Sequence, residues 1–427
     1  MANAIGPVLF WWALGDNHGV FQLTGSGRAA RRVVAHLGLA ALIAGSAGAA
    51  RAQEPPDRTV DFYRGPVISS SRIVGLGGAF TGVGEGIDAT FRNKAALANR
   101  SRTSVDWLDY DLTFDFTITP GQEIDFDGDG RVAGDDVSVN ANTFGLSVLF
   151  GPFAVGLLAQ IISYEASSDT DASAVTADFG DVLIGVGYAF ADGELLTGAG
   201  VNVRILSETT ASQGDDFAEL SLTGTTVDMG VLWRPTWLDW RFGANLRFGA
   251  DVDDRDTKLG NLPEARGFRA AHAPWELGLG ASWFLPADPE RRYNAPLRSG
   301  DGRPSDELEG DLRYLLFAAD LVFTGSSPGA VNLEGLVVGE PRAAGGSASV
   351  SVHLGAESEV FSNLLRVRMG SYLEPVRVDD AGLYRPHLTG GVEVRLFRLW
   401  LWQLKATFAF DVASDYTNLS VGVGFWQ

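Results

Sequence analysis

The stretch that decides the fold reads Leu108-Asp109-Tyr110-Asp111-Leu112-Thr113-Phe114-Asp115-Phe116-Thr117-Ile118. Leu108, Tyr110, Leu112, Phe114, Phe116 and Ile118 share one parity, and Asp109, Asp111, Thr113, Asp115 and Thr117 share the other. Successive side chains of a strand point to opposite faces, so the stretch has one apolar face and one acidic or hydroxylic face. A half-buried strand of a soluble sheet alternates in the same way. Recurrence along the chain separates the two cases.

Alternation returns at roughly 141–150, 153–164, 180–190, 194–208, 218–233, 238–250, 273–284, 311–323, 349–356, 364–374, 387–397, 402–413 and 418–427, which makes about fourteen segments with the first. An even number of strands of about ten residues, separated by turn chemistry, is the pattern of a transmembrane antiparallel β-barrel. The connections Gly151-Pro152, Ala191-Asp192-Gly193, Arg234-Pro235-Thr236 and Phe397 to Leu401 are short, and those between them are mostly longer and polar. That asymmetry fits a barrel with short periplasmic turns and long outer loops. The charged connection at 285–310 is the exception, long on the short-turn side. Trp107, Trp233, Trp237, Trp240, Trp283, Trp400, Trp402 and Trp426 fall near the short-turn ends, with Trp275 alone at the other, as an interfacial girdle requires.

Composition agrees with an all-β chain. The 53 Gly and 25 Phe, set against 3 Met, favour Gly-rich aromatic strands over packed helices. A formal charge of −20 argues against a nucleic-acid partner, because phosphate binding needs clustered Lys and Arg. The absence of Cys removes disulfides, thiolate nucleophiles and Cys-ligated zinc together.

Ahead of the barrel, Arg28-Ala29-Ala30-Arg31-Arg32 is followed by an apolar run and by Ala50-Arg51-Ala52, the three parts of a cleaved export signal. The sequence thus divides into 1–27, read as an over-extended start, a signal peptide at 28–52 cut after Ala52, an N-terminal plug or hatch at 53–101, and an outer-membrane barrel at 102–427. The chain runs out on Val421-Gly422-Val423-Gly424-Phe425-Trp426-Gln427, a strand ending in an aromatic pair, similar to the terminal signal by which barrels are recognised for insertion.

Within the plug, Gly75-Leu76-Gly77-Gly78-Ala79-Phe80 and then Asn93-Lys94-Ala95 resemble the hatch of the FadL family of outer-membrane transporters and the related PorV-like proteins, which carry a G-L-G-x-A-F stretch and an N-P-A element before a fourteen-stranded barrel. Lys94 stands where that pattern has proline. The resemblance implies passive uptake of hydrophobic small molecules such as fatty acids, or, on the PorV-like side, a scaffold for secretion-system or surface-attached proteins. A plug also suits the size, since about eight strands fill a barrel with side chains and sixteen or more leave a channel.

One loop carries metal chemistry. Asp125-Phe126-Asp127-Gly128-Asp129-Gly130-Arg131-Val132-Ala133-Gly134-Asp135-Asp136 sets carboxylates at positions 1, 3, 5 and 12, a glycine at 6 and a backbone carbonyl at 7, the donors a calcium ion requires. Asp125, Asp127, Asp129, Asp136 and the Arg131 carbonyl are therefore the expected ligands of a structural Ca2+. An acidic hairpin loop that binds nothing has the same composition.

No catalytic constellation emerges. Gly325-Ser326-Ser327-Pro328-Gly329 fits G-x-S-x-G, but Pro328-Gly329 is incompatible with the helix a nucleophile elbow needs. His272, His353 and His387 are dispersed, and the glycines of 75–86 lack the surroundings of a phosphate-binding loop. The strands instead place Asp109, Asp111, Asp115, Arg241, Arg247, Arg366, Arg368, Glu393, Arg395 and Lys405 on the lumen face, as a polar conduit or as docking points for the hatch.

Overall fold

In the computed structural model, the described residues are 59–100, 107–120, 124–131, 136–167, 174–211, 217–254, 258–259, 270–288, 292–294, 313–338, 341–379, 381–399 and 402–425. The export signal, its cleavage site, the stretch before it, Trp400, Trp426 and most of the 285–310 connection lie outside them.

Fourteen strands form one closed antiparallel barrel. They are β1 (Leu108–Thr119), β2 (Asp136–Phe150), β3 (Phe153–Ser167), β4 (Ala174–Phe190), β5 (Leu195–Ala211), β6 (Phe217–Trp233) and β7 (Trp240–Arg247, resuming at Ala250–Asp254). The second half comprises β8 (Ala270–Ala273, resuming at Glu276–Pro286), β9 (Tyr314–Thr324), β10 (Ser349–Phe361), β11 (Leu365–Pro375), β12 (Tyr384–Leu399), β13 (Trp402–Ala413) and β14 (Tyr416–Phe425). Closure is direct: β14 lies antiparallel beside β1, with Phe114 opposite Val423 and Ile118 opposite Leu419. Among the described residues each of the fourteen strands has a neighbour on both sides, so no edge strand meets lipid.

The facing follows the parity of the sequence. Phe114, Phe116 and Phe408 are exposed on the outside, while Asp111, Thr113 and Thr407 are buried on the lumen side. Lys405 also turns inward, where its ammonium lies 3.6 Å from Glu393. Several strands reach further outward than the alternation indicated. β2 begins at Asp136 and β4 at Ala174, because residues such as Ser138 and Thr176 rise past the apolar band and need no lipid-facing side chain. β8 is interrupted at Pro274, which has no N–H to give a ladder.

At the short-turn ends the rings touch in series. Trp233 stacks on Phe242, Phe242 on Trp240, Trp240 on Trp283 and Trp283 on Phe317, with centroids 5.5 to 6.1 Å apart. A second run links Trp107, Phe150, Phe153, Tyr188 and Phe190. Indole and phenol rings suit a level where hydrocarbon gives way to headgroups, so these ends mark one membrane interface.

Residues 59–100 fill the lumen. Thr59–Asp61 pairs in parallel with Ala270–His272 and with Ala330–Val331, near the long-loop end. The chain then descends through α1 (Ser71–Gly75) and two 3-10 turns, Asp88–Phe91 and Lys94–Ala98. In the outer loop between β9 and β10, the short helix α2 (Leu333–Val338) and the strand pair Ala330–Val331 with Ala343–Ala344 turn back over the mouth.

Candidate functional site

Three places inside the barrel bear on function: the seat of the hatch, the cap over the mouth and a polar cavity between them.

The seat is built by strand glycines. A Cβ at Gly243 would stand 2.0 Å from the Thr81 carbonyl oxygen, one at Gly198 2.0 Å from that of Lys94, and one at Gly370 2.4 Å from the Gly77 nitrogen. Each glycine removes a side chain so that hatch backbone lies directly against the wall. Lumen carboxylates then meet hatch N–H groups that its short helical turns leave without partners. Asp115 accepts from the Ser71 N–H (2.8 Å) and hydroxyl (2.6 Å), and Asp111 from the Ile87 N–H (2.7 Å). Asp320 accepts from the Phe80 and Thr81 N–H groups at 2.8 and 2.7 Å. Lys94 explains its departure from the proline of the FadL-type pattern. Its backbone N–H donates to Asn245 (3.1 Å), a bond proline cannot make, and its buried ammonium pairs with Asp228 at 2.9 Å.

Arg366, Arg368 and Glu393, expected on the lumen face of β11 and β12, form a buried network with Glu357 of β10, which the sequence reading did not single out. Glu357 receives Arg368 (2.5 Å) and the hatch residue Arg72 (3.2 Å), and Glu393 receives Arg368 (2.7 Å) and Arg366 (3.1 Å). Below the hatch, Arg241 donates to the Val83 carbonyl, to Glu85 and to Asn294. Asn294 in turn donates to the carbonyls of Pro235, Leu238 and Trp240, each at 2.9 Å. The described part of the long 285–310 connection therefore tucks under the barrel rather than trailing from it.

At the mouth, the Asp125 loop folds inward. Asp125 accepts from the Gly128, Asp129 and Gly130 N–H groups, and Gly128 and Gly130 hold positive φ (75° and 80°), the conformation glycine adopts without strain. One carboxylate oxygen from each of Asp125, Asp127 and Glu334 lies within 4.8 Å of the other two. Of the expected ligands, Asp125 and Asp127 thus meet. Asp129 pairs instead with Arg342, Arg131 is exposed, and Asp136 opens β2 with its side chain outside the described residues. Glu334 comes from α2 in another loop, and no local spacing signals it; it also accepts from the Phe126 and Asp127 N–H groups and from the Tyr164 hydroxyl. Burial pushes the Asp125 carboxyl up, Asp127 to about 6 and Glu334 well above the carboxylate range, with neighbouring carboxylates adding to the effect. Ser327 of the G-x-S-x-G stretch donates to Asp61 and leads into a turn.

Just inside the mouth lies an apolar layer in which Phe62 from the N-terminal segment, Phe126 from the first outer loop and Leu333 from α2 pack against Tyr164, Phe179 and Leu206 of the wall. Beside it is a cavity of about 140 Å³, lined by the hatch residues 62–69, by Phe91 and Arg92, and by wall residues that include Gln160, Asp181, Arg204, Arg247 and Glu276.

No protein-family model and no curated protein matches this chain. Solved structures do. The Pseudomonas putida toluene transporter TodX superposes with a TM-score of 0.50 at 12% identity, covering 87% of this chain and 99% of that one. The CymD monoaromatic hydrocarbon channel gives 0.50 at 11% identity over 85% and 97%. A Pseudomonas aeruginosa FadL homologue gives 0.48 at 14% identity over 85% and 98%. What is shared with TodX and CymD is the fold, which in this chain is a closed fourteen-stranded barrel with residues 59–100 inside.

Proposed function

We propose that the chain is a passive uptake channel of the bacterial outer membrane for small hydrophobic molecules, such as fatty acids or monoaromatic compounds, held shut by its hatch and outer loops. The observation that carries this reading is the apolar layer just inside the mouth, made of Phe62, Phe126 and Leu333 from segments that are not part of the wall. Displacing those three side chains would give an apolar ligand a ready-made lining without breaking any strand pairing. The likeness to TodX and CymD, channels for hydrocarbons by their names, supports it at the level of fold.

A cysteine-free chain makes the test direct. Gly278 faces Thr81 of the hatch, with a Cβ there 3.8 Å from the threonine methyl. In proteoliposomes, a Thr81→Cys/Gly278→Cys pair is expected to stop uptake of radiolabelled toluene or oleate when oxidised and to restore it when reduced. Equal uptake in both states would remove the hatch-gated route.

A second reading, the PorV-like scaffold for secretion-system or surface-attached proteins, is favoured by the cap itself. Arg377 pairs with Asp61 and Arg342 with Asp129 across separate loops, an arrangement suited to presenting a fixed outer surface. Co-purification of an outer-surface protein, together with absence of uptake, would select it.

We also propose that the Asp125 loop holds a structural Ca2+ through Asp125, Asp127, Asp129, Asp136 and the Arg131 carbonyl, with Glu334 as an added donor. The ligand spacing and the approach of Glu334 support it. An affinity of about 10⁻⁴ to 10⁻³ M would suffice outside the cell. Calorimetry on the protein and on an Asp127→Ala/Asp129→Ala variant tests this; identical heats would end it.

A further inference from the structure

The cavity beside the apolar layer has a charge opposite to that of the chain. Acidic residues outnumber basic ones by 53 to 33 overall, yet the cavity is ringed by four guanidiniums, Arg64, Arg92, Arg204 and Arg247, against the carboxylates of Asp181 and Glu276. Two of those arginines are committed. Arg64 donates to Gln160 and pairs with Asp181, and Arg247 pairs with Asp228 (3.1 Å) and Glu276 (2.7 Å). The other two are held less fully. Arg204 is 4% exposed and forms a loose ion pair with Asp181, its Nε 3.5 Å from Oδ1, but that Nε has no hydrogen-bond partner among the described residues. Arg92 lines the same cavity with no hydrogen bond or ion pair to its guanidinium among the described residues.

Buried guanidiniums are costly unless hydrogen-bonded, and an orphaned one calls for an explanation. The fork of donors on arginine matches a carboxylate in two parallel bonds. Size narrows the class: the cavity measures about 140 Å³, and an apolar cavity of roughly 150 Å³ accommodates benzene. One face is aromatic as well. Arg204 and Arg64 lie over the Phe62 ring at 5.4 and 5.7 Å from its centroid, and Phe91 also lines the cavity. His353 faces the cavity with both ring nitrogens already engaged, by Gly77 and Ser351, so it adds no competing charge requirement.

We propose that this cavity is a binding site for a small monocarboxylate of benzoate size or less, whose carboxylate is held by Arg204 and Arg92 and whose apolar body lies against Phe62 and Phe91. The assignment stands whether or not the barrel transports anything.

Fluorine NMR of 4-fluorobenzoate with the full chain in an uncharged detergent tests it, with 4-fluorobenzyl alcohol as the neutral counterpart and inorganic phosphate as competitor. Saturable binding of the benzoate is expected, with the alcohol failing to displace it. Arg204→Gln should weaken binding about tenfold or more, since a hydrogen bond to a charged group is lost, and Arg204→Lys should restore part of it. Should Arg204→Gln fail to fold, Arg92→Gln serves in its place with the same expected loss, because Arg92 holds no structural partner. Arg292→Gln, an exposed arginine outside the cavity, should bind like the wild type. No binding of the benzoate, equal binding of the alcohol, unchanged affinity in both arginine variants, or tighter binding of phosphate than of benzoate would each overturn the assignment.

Discussion

The hatch seat and the mouth cap close the same lumen by opposite means. At the seat, hatch backbone is laid against wall backbone through glycines such as Gly198, Gly243 and Gly370, and hatch N–H groups end on Asp111, Asp115 and Asp320. At the cap, loops from three parts of the chain meet through side chains, chiefly Arg342 with Asp129, Arg377 with Asp61 and the cluster around Glu334. A seat defined by steric fit tolerates no added atom and responds little to solution conditions. A cap defined by charge responds to cations, salt and ligands while the wall stays as it is. The difference teaches where motion begins: the loops and the N-terminal strand adjust first, and the glycine-lined seat holds the hatch closed until it is released.

The largest effect should come from the seat's ion network. Glu357→Ala removes the carboxylate shared by Arg72 of the hatch and Arg368 of the wall, leaving the two buried guanidiniums with only Glu85 and Glu393. Removing one partner of a buried ionic group costs about 3–5 kcal/mol, and urea unfolding of the protein in bilayers should register it. Next, Gly243→Leu drives a side chain into the Thr81 carbonyl, where the opposing atom is backbone and cannot rotate away. Overpacking of this kind costs about 1–3 kcal/mol or more. Gly382→Ala, where an added Cβ meets nothing within 4 Å, should change stability by less than about 0.5 kcal/mol in the same assay. If both glycine variants behave alike, the steric account of the seat fails.

The cap should be more forgiving. Arg342→Ala removes an ion pair whose arginine side chain is 22% exposed and whose Asp129 side chain is 5% exposed, and about 1–2 kcal/mol is expected. Smaller still in global stability, but local and specific, is the effect of calcium. Hydrogen exchange at 124–131 should slow on adding Ca2+ and return with chelator, while exchange at 71–82 stays constant. Equal changes in both segments would erase the distinction between cap and seat.

Much of this was legible in the sequence, for one reason: lipid on one side and a polar lumen on the other impose alternation with period two, and Leu108 to Ile118 carries it undisturbed. Strand number, closure and facing follow from that rule. Outer strand ends were less legible, because residues such as Ser138 and Thr176 lie beyond the band where lipid selects the side chain. The glycines of the seat were visible, but their partners were not, since the contact of Gly243 with Thr81 joins segments far apart in sequence. Asp125 and Asp127 announced themselves by spacing, whereas Glu334 reaches them from more than two hundred residues away. Arg204 and Arg92 gave no signal at all, because how fully a guanidinium is hydrogen-bonded is a property of three-dimensional surroundings.

The central claim is that residues 59–100 are a plug that closes a membrane-spanning barrel at rest. Ion conductance of the purified protein across a planar lipid bilayer tests it most directly. The account predicts that the wild type carries no steady current and that Gly243→Leu, with its hatch unable to seat, does. A steady open current through the wild-type protein would contradict it.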